Sequence, residues 1–334
     1  MAAPQKITVL FSSAGRRVEL INCFRADAAA LGRELRAVAV DLNPEMSPAC
    51  AASDRHYPVP RCTEAAFIDQ LLEICTAEKV HLVVPTIDTE LETLAASRER
   101  FLRTGARVAV STLEVVRLSR NKFETARSLG KNGIPAPKTG AVAELLESPE
   151  DWRWPILLKP IGGSSSAGVH VVHTVDAARS LSLENYVAQE MWAGKEYTVN
   201  LYFDAGGRLR CTVPHQRVET RSGEVSKGIT ERQPTLMALA EELGQMLPGA
   251  YGPLCFQAMI TPQGQPMVFE INARFGGGYP LAHRAGACFS RWLLEDVLDL
   301  PGTAHNNWHE GLIMLRYDAA VFVRRPWQVR PGTA

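Results

Sequence analysis

Through the first third of the chain, short apolar runs alternate with stretches whose apolar positions recur every three or four residues. Residues 6–11 (KITVLF), 35–41 (LRAVAVD), 80–85 (VHLVVP) and 107–110 (RVAV) are short and almost uniformly apolar, which reads as buried strands. The intervening periodicity predicts helices from about Arg16 to a C-cap at Gly32, over 64–78 and over 89–102. Strands spaced by helices of that length imply a parallel sheet with right-handed crossovers. Ligands of such sheets sit at the carboxyl ends of the strands. The expected rim is therefore Ser12 to Arg17, Asp41 and Thr86 to Glu90.

From residue 112 the pattern changes. Residues 119–133 predict a helix capped by Asn121, with Glu124 completing a capping box and Arg120 and Lys122 at its positive end. After a proline-rich connector, residues 156–172 (ILLKPIGGSSSAGVHVV) read as strand, Gly/Ser loop, strand. A helix from about Val175 and a strand over 186–191 follow, so 113–190 form a small α+β unit, a candidate lid. Residues 195–203 and 208–215 form a hairpin signal; 218–228 (VETRSGEVSKG) read as a mobile polar loop; 234–246 read as a helix. Residues 255–260 and 267–272 then flank a TPQGQP turn. A turn centred between Gln263 and Gly264 sets Gln257 opposite Glu270, with Asn272 two residues on and so on the same face.

These placements suggest chemistry. Gly162, Gly163 and Gly168, with Ser164 and Ser165 between them, allow successive N–H groups to cradle an anion, and Lys159 adds a full charge beside them. The loop runs into a strand and not a helix, which excludes a Walker A loop and a dinucleotide fingerprint; a phosphate flap and an ordinary exposed hairpin loop both remain. Arg16 and Arg17, after Gly15, oppose the dipole of the first helix at up to about 1 kcal/mol each. Either a substrate carboxylate reverses that penalty or both are solvated. Asp41, Asp88 and Glu90 either hold substrate or cap loops. Gln257, Glu270 and Asn272 supply hard oxygen donors with one carboxylate, a set suited to Mg²⁺ beside phosphates, and Arg274 on the same face balances phosphoryl charge. The alternative is the polar outer face of a sheet. His305 and His309 read as one side of a helix, either a solvated pair or metal ligands, and His283, near a glycine run, is a candidate substrate contact.

Composition narrows the picture. The 334 residues carry 36 Lys+Arg against 36 Asp+Glu, and this zero balance argues against a broad nucleic-acid footprint. Seven cysteines without a CxxC pair suit reduced thiols and a cytoplasmic location. No apolar run suits a signal peptide or a bilayer span, so no membrane partner is expected.

Taken together, Lys122, the Lys159–Gly168 stretch, AQEMWAGKEYTV and the Gln257/Glu270/Asn272 set resemble the ATP-grasp superfamily, specifically the carbamoyl-phosphate-synthase-like ligases. The resemblance spans essentially the whole chain. It implies an α/β fold: a Rossmann-like parallel-sheet domain (1–112), then a two-part α+β ATP-grasp domain with a lid (113–190) and a metal-bearing subdomain (191–334). It also implies ATP and Mg²⁺ as cofactors, with Mn²⁺ as a substitute. Lys122, Lys159 and the flap Gly162, Gly163, Ser164, Ser165 and Gly168 would hold phosphates. Glu190, Met191 and Trp192 would meet adenine, Glu196 the ribose, and Gln257, Glu270 and Asn272 the metal. Arg274, Lys159 and Lys227 would neutralise charge in transfer. Gly15, Arg16, Arg17, Asp88, Arg221, Gly277 and Gly278 are the expected substrate contacts. The implied reaction joins a small carboxylate to an amine through an acyl phosphate. A carbamoyl-phosphate-type phosphotransferase and a non-catalytic nucleotide-binding module are the alternatives, and a homodimer is the assembly to test.

Overall fold

The structure, a computed structural model, describes residues 5–162, 168–181 and 183–323. Three sheets carry the architecture. The first contains β1 (Gln5–Ser12), β2 (Arg33–Asp41), β3 (Arg55–Pro58), β4 (Leu82–Pro85) and β5 (Arg107–Val108), all parallel in the order β3-β2-β1-β4-β5. Its inner strands β1, β2 and β4 are largely buried, which is why they read as nearly continuous apolar runs. The chain reverses its order across the sheet beside β1, so a crevice opens at the carboxyl ends of β1 and β4. β3 was not expected; RHYP is too short and too polar to signal a strand, and it forms as an edge partner of β2. The helix expected over 89–102 breaks at Ser97 into Leu91–Ala96 and Arg98–Arg103.

The second sheet is antiparallel: β6 (Thr139–Ala141), β7 (Ile156–Pro160), β8 (His170–Val172) and β9 (Tyr186–Glu190), in the order β6-β9-β7-β8. The expected hairpin is present, with Leu158 paired to His170 across its mouth. The helix Lys122–Lys131 leads into this sheet, and the Asn121 carboxamide accepts from the amides of Phe123 and Glu124 at 3.0 and 3.1 Å.

The third sheet contains β10 (Lys195–Phe203), β11 (Leu209–Arg221), β12 (Glu224–Thr230), β13 (Gly252–Ile260), β14 (Pro266–Asn272) and β15 (Ile313–Leu315), in the order β14-β13-β10-β11-β12-β15. The supposed mobile loop at 218–228 is the tip of the β11–β12 hairpin. Ser222 and Gly223 both take positive φ, 52° and 75°, the pair that a two-residue turn needs to match strand twist. The Ser-Gly dipeptide was the available signal. Two large apolar clusters join this sheet to the first one, and among the described residues no helix is long and apolar enough to cross a membrane.

Candidate active site

The cleft lies between the second and third sheets and has a volume of about 410 Å³. The β13–β14 hairpin supplies one wall. Gln257 pairs with Glu270, and Asn272 pairs with Cys255. The geometry that produces this pairing differs from the expected turn. Pro262, Gln263 and Gly264 form a three-residue loop, centred on Gln263, with Gly264 at φ 83°. That register would leave Glu270 without Gln257 opposite, but the ladder shifts by one residue between Gln257 and Ala258, where Phe269 is the extra residue of a bulge. The bulge sets Phe269 and Glu270, neighbours in sequence, on the same cleft wall.

Lys159, at the end of β7, faces this wall. Its Nζ donates to Gln189 Oε1 at 2.7 Å and lies 5.3 Å from the centre of the Phe269 ring. Gln189 in turn donates to Thr139 Oγ1 at 2.9 Å, so a neutral relay across β6, β9 and β7 orients the ammonium. Burial lowers the Lys159 pKa to about 8; Glu270 opposes that shift and Lys122 adds to it. Lys122 also lines the cleft, and burial lowers its pKa against the pull of Glu270. Gln257, Glu270, Asn272, Lys122 and Lys159 thus meet at one end of one cleft. Their oxygens are a hard donor set with a single carboxylate, which fits Mg²⁺ next to a polyphosphate.

The flap is partly described. Gly162 ends the stretch after β7, and Gly168 enters β8 at φ 70°, where an added Cβ would lie 2.8 Å from Tyr186 Oη. Gly163, Ser164 and Ser165 lie outside the described residues. Glu190, Met191, Trp192 and Glu196 all line the cleft. The amides of Glu190 and Met191 are already bonded to the Lys138 and Pro155 carbonyls. Trp192 stacks under the Arg153 guanidinium at 4.0 Å, and its Nε1 is buried without a hydrogen-bond partner.

The rest of the cleft is lined by Arg17, Arg217 and Arg274, each held by an acid, with Arg316 behind Glu224 outside the lining and Arg274 also donating to Asn272 Oδ1 at 3.5 Å. Arg17 reaches Glu224 at 3.1 Å, Arg316 reaches the same carboxylate at 3.1 Å, Arg217 reaches Glu196 at 2.9 Å and Arg274 reaches Asp88 at 2.6 Å. Both arginines hold Glu224 below the usual carboxylate range against the burial that would raise it. Asp88 and its electrostatic field hold Arg274 above the ordinary guanidinium value despite burial. Gly277 and Gly278 line this end; a Cβ would meet Glu224 at 2.7 Å in the first case and His215 Nε2 at 2.6 Å in the second. His215 accepts from Asn200 Nδ2 at 3.1 Å, and burial beside Arg217 pushes its pKa down to about 3, so a neutral ring sits under the glycines.

Several expected contacts fall elsewhere. Lys227 is outside the cleft lining and pairs with Glu219 at 2.7 Å, because the β11–β12 ladder is irregular between Val225 and Lys227, so that these two, although two residues apart, do not share a face. Arg221 pairs with Asp318 at 2.5 Å on the surface. Arg16 is exposed; the first helix starts at Val18, so neither arginine occupies its first turn, and Arg17 extends to Glu224 instead. Gly15 donates to Asp41 Oδ2 at 2.9 Å, and Glu90 accepts from Ser12, Ser13, Thr86 and Ile87. Asp41 and Glu90 therefore clamp loops at the sheet rim, and burial raises the Glu90 pKa. Asp88 pairs with Arg274 and also lines a small recess with Lys122, Glu270 and Asn272. His305 and His309 are not on a helix; His305 packs on Trp292 and His309 is exposed. Sequence reasoning missed Gln189, Arg217, Glu224 and Arg316. Recognising β11 and β12 as strands would have put Arg217 and Glu224 in reach.

This geometry can be set beside known proteins. A profile described as the PylC-like N-terminal domain matches residues 9–109, and one described as the ATP-grasp domain matches residues 119–278. The chain belongs to the ATP-grasp superfamily. By family it is an ATP-grasp ligase, with ATP and Mg²⁺ as the cofactors of that family. No curated protein matches the chain in sequence. Among solved structures, the biotin carboxylase domain of Hydrogenobacter thermophilus 2-oxoglutarate carboxylase, complexed with MgADP, ADP and bicarbonate, superposes with a TM-score of 0.73. It is 13% identical, and the match covers 92% of this chain and 73% of that one. An ADP complex of N5-carboxyaminoimidazole ribonucleotide synthetase gives 0.70 at 17% identity, covering 94% and 82%. L-amino acid ligase from Bacillus licheniformis gives 0.64 at 19% identity, covering 88% and 75%. These likenesses establish the shared fold of the ATP-grasp ligase.

Proposed function

We propose that this ATP-grasp ligase activates a small-molecule carboxylate with ATP and joins it to an amine, with release of ADP and phosphate. The carrying observation is the meeting of Gln257, Glu270 and Asn272 with Lys122 and Lys159 in one cleft whose far end is lined by arginines. The Gln257, Glu270 and Asn272 oxygens would hold Mg²⁺, which when bound supplies charge neutralisation at the phosphates. Lys122 and Lys159 would pair with phosphate oxygens, and the flap from Gly162 to Gly168 would exclude water that destroys an acyl phosphate. Glu190, Met191 and Trp192 would flank adenine. With the Glu190 and Met191 amides already bonded, apolar contact with Met191 and Trp192 would carry this stretch. Glu196 would hold ribose while paired to Arg217.

At the arginine end, Arg17, Arg217 and Arg274 line the cleft and are fixed by Glu224, Glu196 and Asp88, so an anionic substrate group would meet guanidinium forks already oriented. A carboxylate oxygen of the substrate attacks the γ-phosphorus and ADP leaves. The amine nitrogen then attacks the acyl carbon, phosphate leaves, and the amine gives up its proton to solvent. Glu224, next to Gly277, is the acid placed to face an incoming ammonium. The segment 113–190, which carries Lys122, Lys159 and the flap, is proposed to close as a unit over the nucleotide.

The test is a screen of paired carboxylates and amines for stimulated ADP release, with mass spectrometry of the product. A condensed product that requires both partners supports the reading. A phosphorylated carboxylate formed without any amine would replace it with a phosphotransferase, and nucleotide binding without any turnover would reduce the chain to a binding module.

A further inference from the structure

A second group of chemically capable side chains lies away from the cleft, where the first domain meets the last helices. The helix Val18–Ala30 packs against the helices Tyr279–Arg284 and Phe289–Val297. At this contact Asp27, His283 and Cys288 each bring a donor atom within 4.8 Å of the others. None of the three lines the cleft.

Three independent observations mark the group as more than packing. First, the Asp27 side chain is only 7% exposed, and the one basic side chain that reaches it among the described residues is His283, at 3.0 Å. Its other partner is the Ser290 hydroxyl at 2.5 Å, itself bonded to Tyr279 Oη at 3.2 Å. A carboxylate buried among aromatic rings needs a compensating cation. Second, the His283 ring is 10% exposed and turns its Nε2 to the Asp27 carboxylate, while its Nδ1 has no hydrogen-bond partner among the described residues and is free to carry the ring proton. Third, among the described residues the Cys288 sulfur has as its one hydrogen-bond contact the His283 carbonyl at 4.0 Å. Cys288 is partly exposed, which leaves a route for solvent.

We propose that Asp27, His283 and Cys288 form a binding site for Zn²⁺ or a similar borderline transition metal. One oxygen, one imidazole nitrogen and one thiol suit zinc and disfavour Mg²⁺ and Ca²⁺, which take oxygen shells. The 3.0 Å separation of Asp27 Oδ2 and His283 Nε2 is close to the ~3.3 Å expected between two ligands ~2.0 Å from a tetrahedral metal. Three protein donors leave a fourth position for water. Binding replaces the thiol proton of Cys288 by the metal and releases that proton to solvent, and the proton between His283 Nε2 and Asp27 Oδ2 moves to His283 Nδ1 so that both facing atoms can ligate. The ion then ties the helix Val18–Ala30 of the first domain to the helix that follows Gly276–Gly278, so it staples the parallel-sheet domain to the base of the arginine end of the cleft.

The experiment is titration of the full-length protein, stripped of metal and kept reduced, with ZnCl₂ against a chromogenic chelator, paired with Co²⁺ absorption and thermal melting. About one equivalent should bind with Kd below about 10 µM, raise the melting temperature by at least ~3 °C, and with Co²⁺ give a thiolate-to-metal charge-transfer band. Cys288→Ser should abolish the band and weaken zinc binding at least ~100-fold, since the metal loses its sulfur ligand. Because Cys288 is half-buried and weakly bonded, this variant tests the site even if His283→Gln fails to fold. Glu270→Gln should leave zinc binding intact, which separates the site from the nucleotide metal. Absence of binding, survival of binding in Cys288→Ser, or its loss in Glu270→Gln would each overturn the proposal.

Discussion

The two ends of the cleft hold positive charge in different ways. At the arginine end every guanidinium is held by a carboxylate: Arg17 and Arg316 by Glu224, Arg217 by Glu196, Arg274 by Asp88. At the lysine end Lys159 is oriented by the neutral amide of Gln189, and its nearest acid influences it only through the field of Glu270. Paired forks keep their charge and direction with or without ligand. A desolvated ammonium is poorly compensated until something anionic arrives. The first arrangement therefore suits orientation and the second suits capture of a polyphosphate whose charge is strongest in transfer.

This contrast can be broken experimentally, and the largest effect should come from the acid that serves the lysine end. Glu270→Ala is expected to lower ATP turnover on the order of 10³-fold while the melting temperature stays within a few degrees, because the residue lies on a cleft wall. Unchanged ADP release would remove the metal assignment. Next, Lys159→Met should weaken ATP binding about 10- to 100-fold by calorimetry, the loss of a charge-assisted contact. Equal affinity in that variant would show that the flap does not hold phosphates.

Glu224→Gln probes the opposite end. It unpairs Arg17 and Arg316 together, so the acceptor KM should rise roughly 10-fold while the ATP Kd stays the same. A change in ATP affinity of equal size would mean that the two ends do not act separately. The smallest effect is one of pH. Lys159 has its pKa lowered to about 8, so its charge is present below that value and lost as pH rises through it. A bound polyphosphate favours the charged form. ATP affinity should therefore fall a fewfold between pH 7 and 9, and Lys159→Met should flatten the profile. A profile that keeps its slope in the variant would assign the titration to another group.

How legible all this was in the sequence depended on the kind of element. The buried parallel strands and the helix Pro234–Met246 were readable from periodicity alone, whereas the pairing of Gln257 with Glu270 was reached through an assumed turn centre. That pairing arises through a bulge at Phe269 that alternation does not announce, so a correct pair came from an incorrect turn. The β11–β12 hairpin was hidden because its polar alternation resembles a solvated loop, and with it went Arg217 and Glu224. The rim acids Asp41 and Glu90 were ambiguous for a different reason. A carboxylate after a strand serves a ligand or its own loop equally well, and only the four donors converging on Glu90 decide between them. Long-range ion pairs such as Arg17–Glu224 join residues with no shared local pattern, so no window of the chain contains them.

The bulge at Phe269 has an evolutionary consequence. On its distal side the ladder follows the length of the Thr261–Gln265 connection; on its proximal side it follows the chemistry of the cleft. One supernumerary residue thus uncouples the two, and sequence drift that lengthens or shortens the tip has a place to be absorbed before it displaces a ligand-bearing position. Divergent members of such a lineage would be expected to differ in tip length while retaining an offset just ahead of the acid.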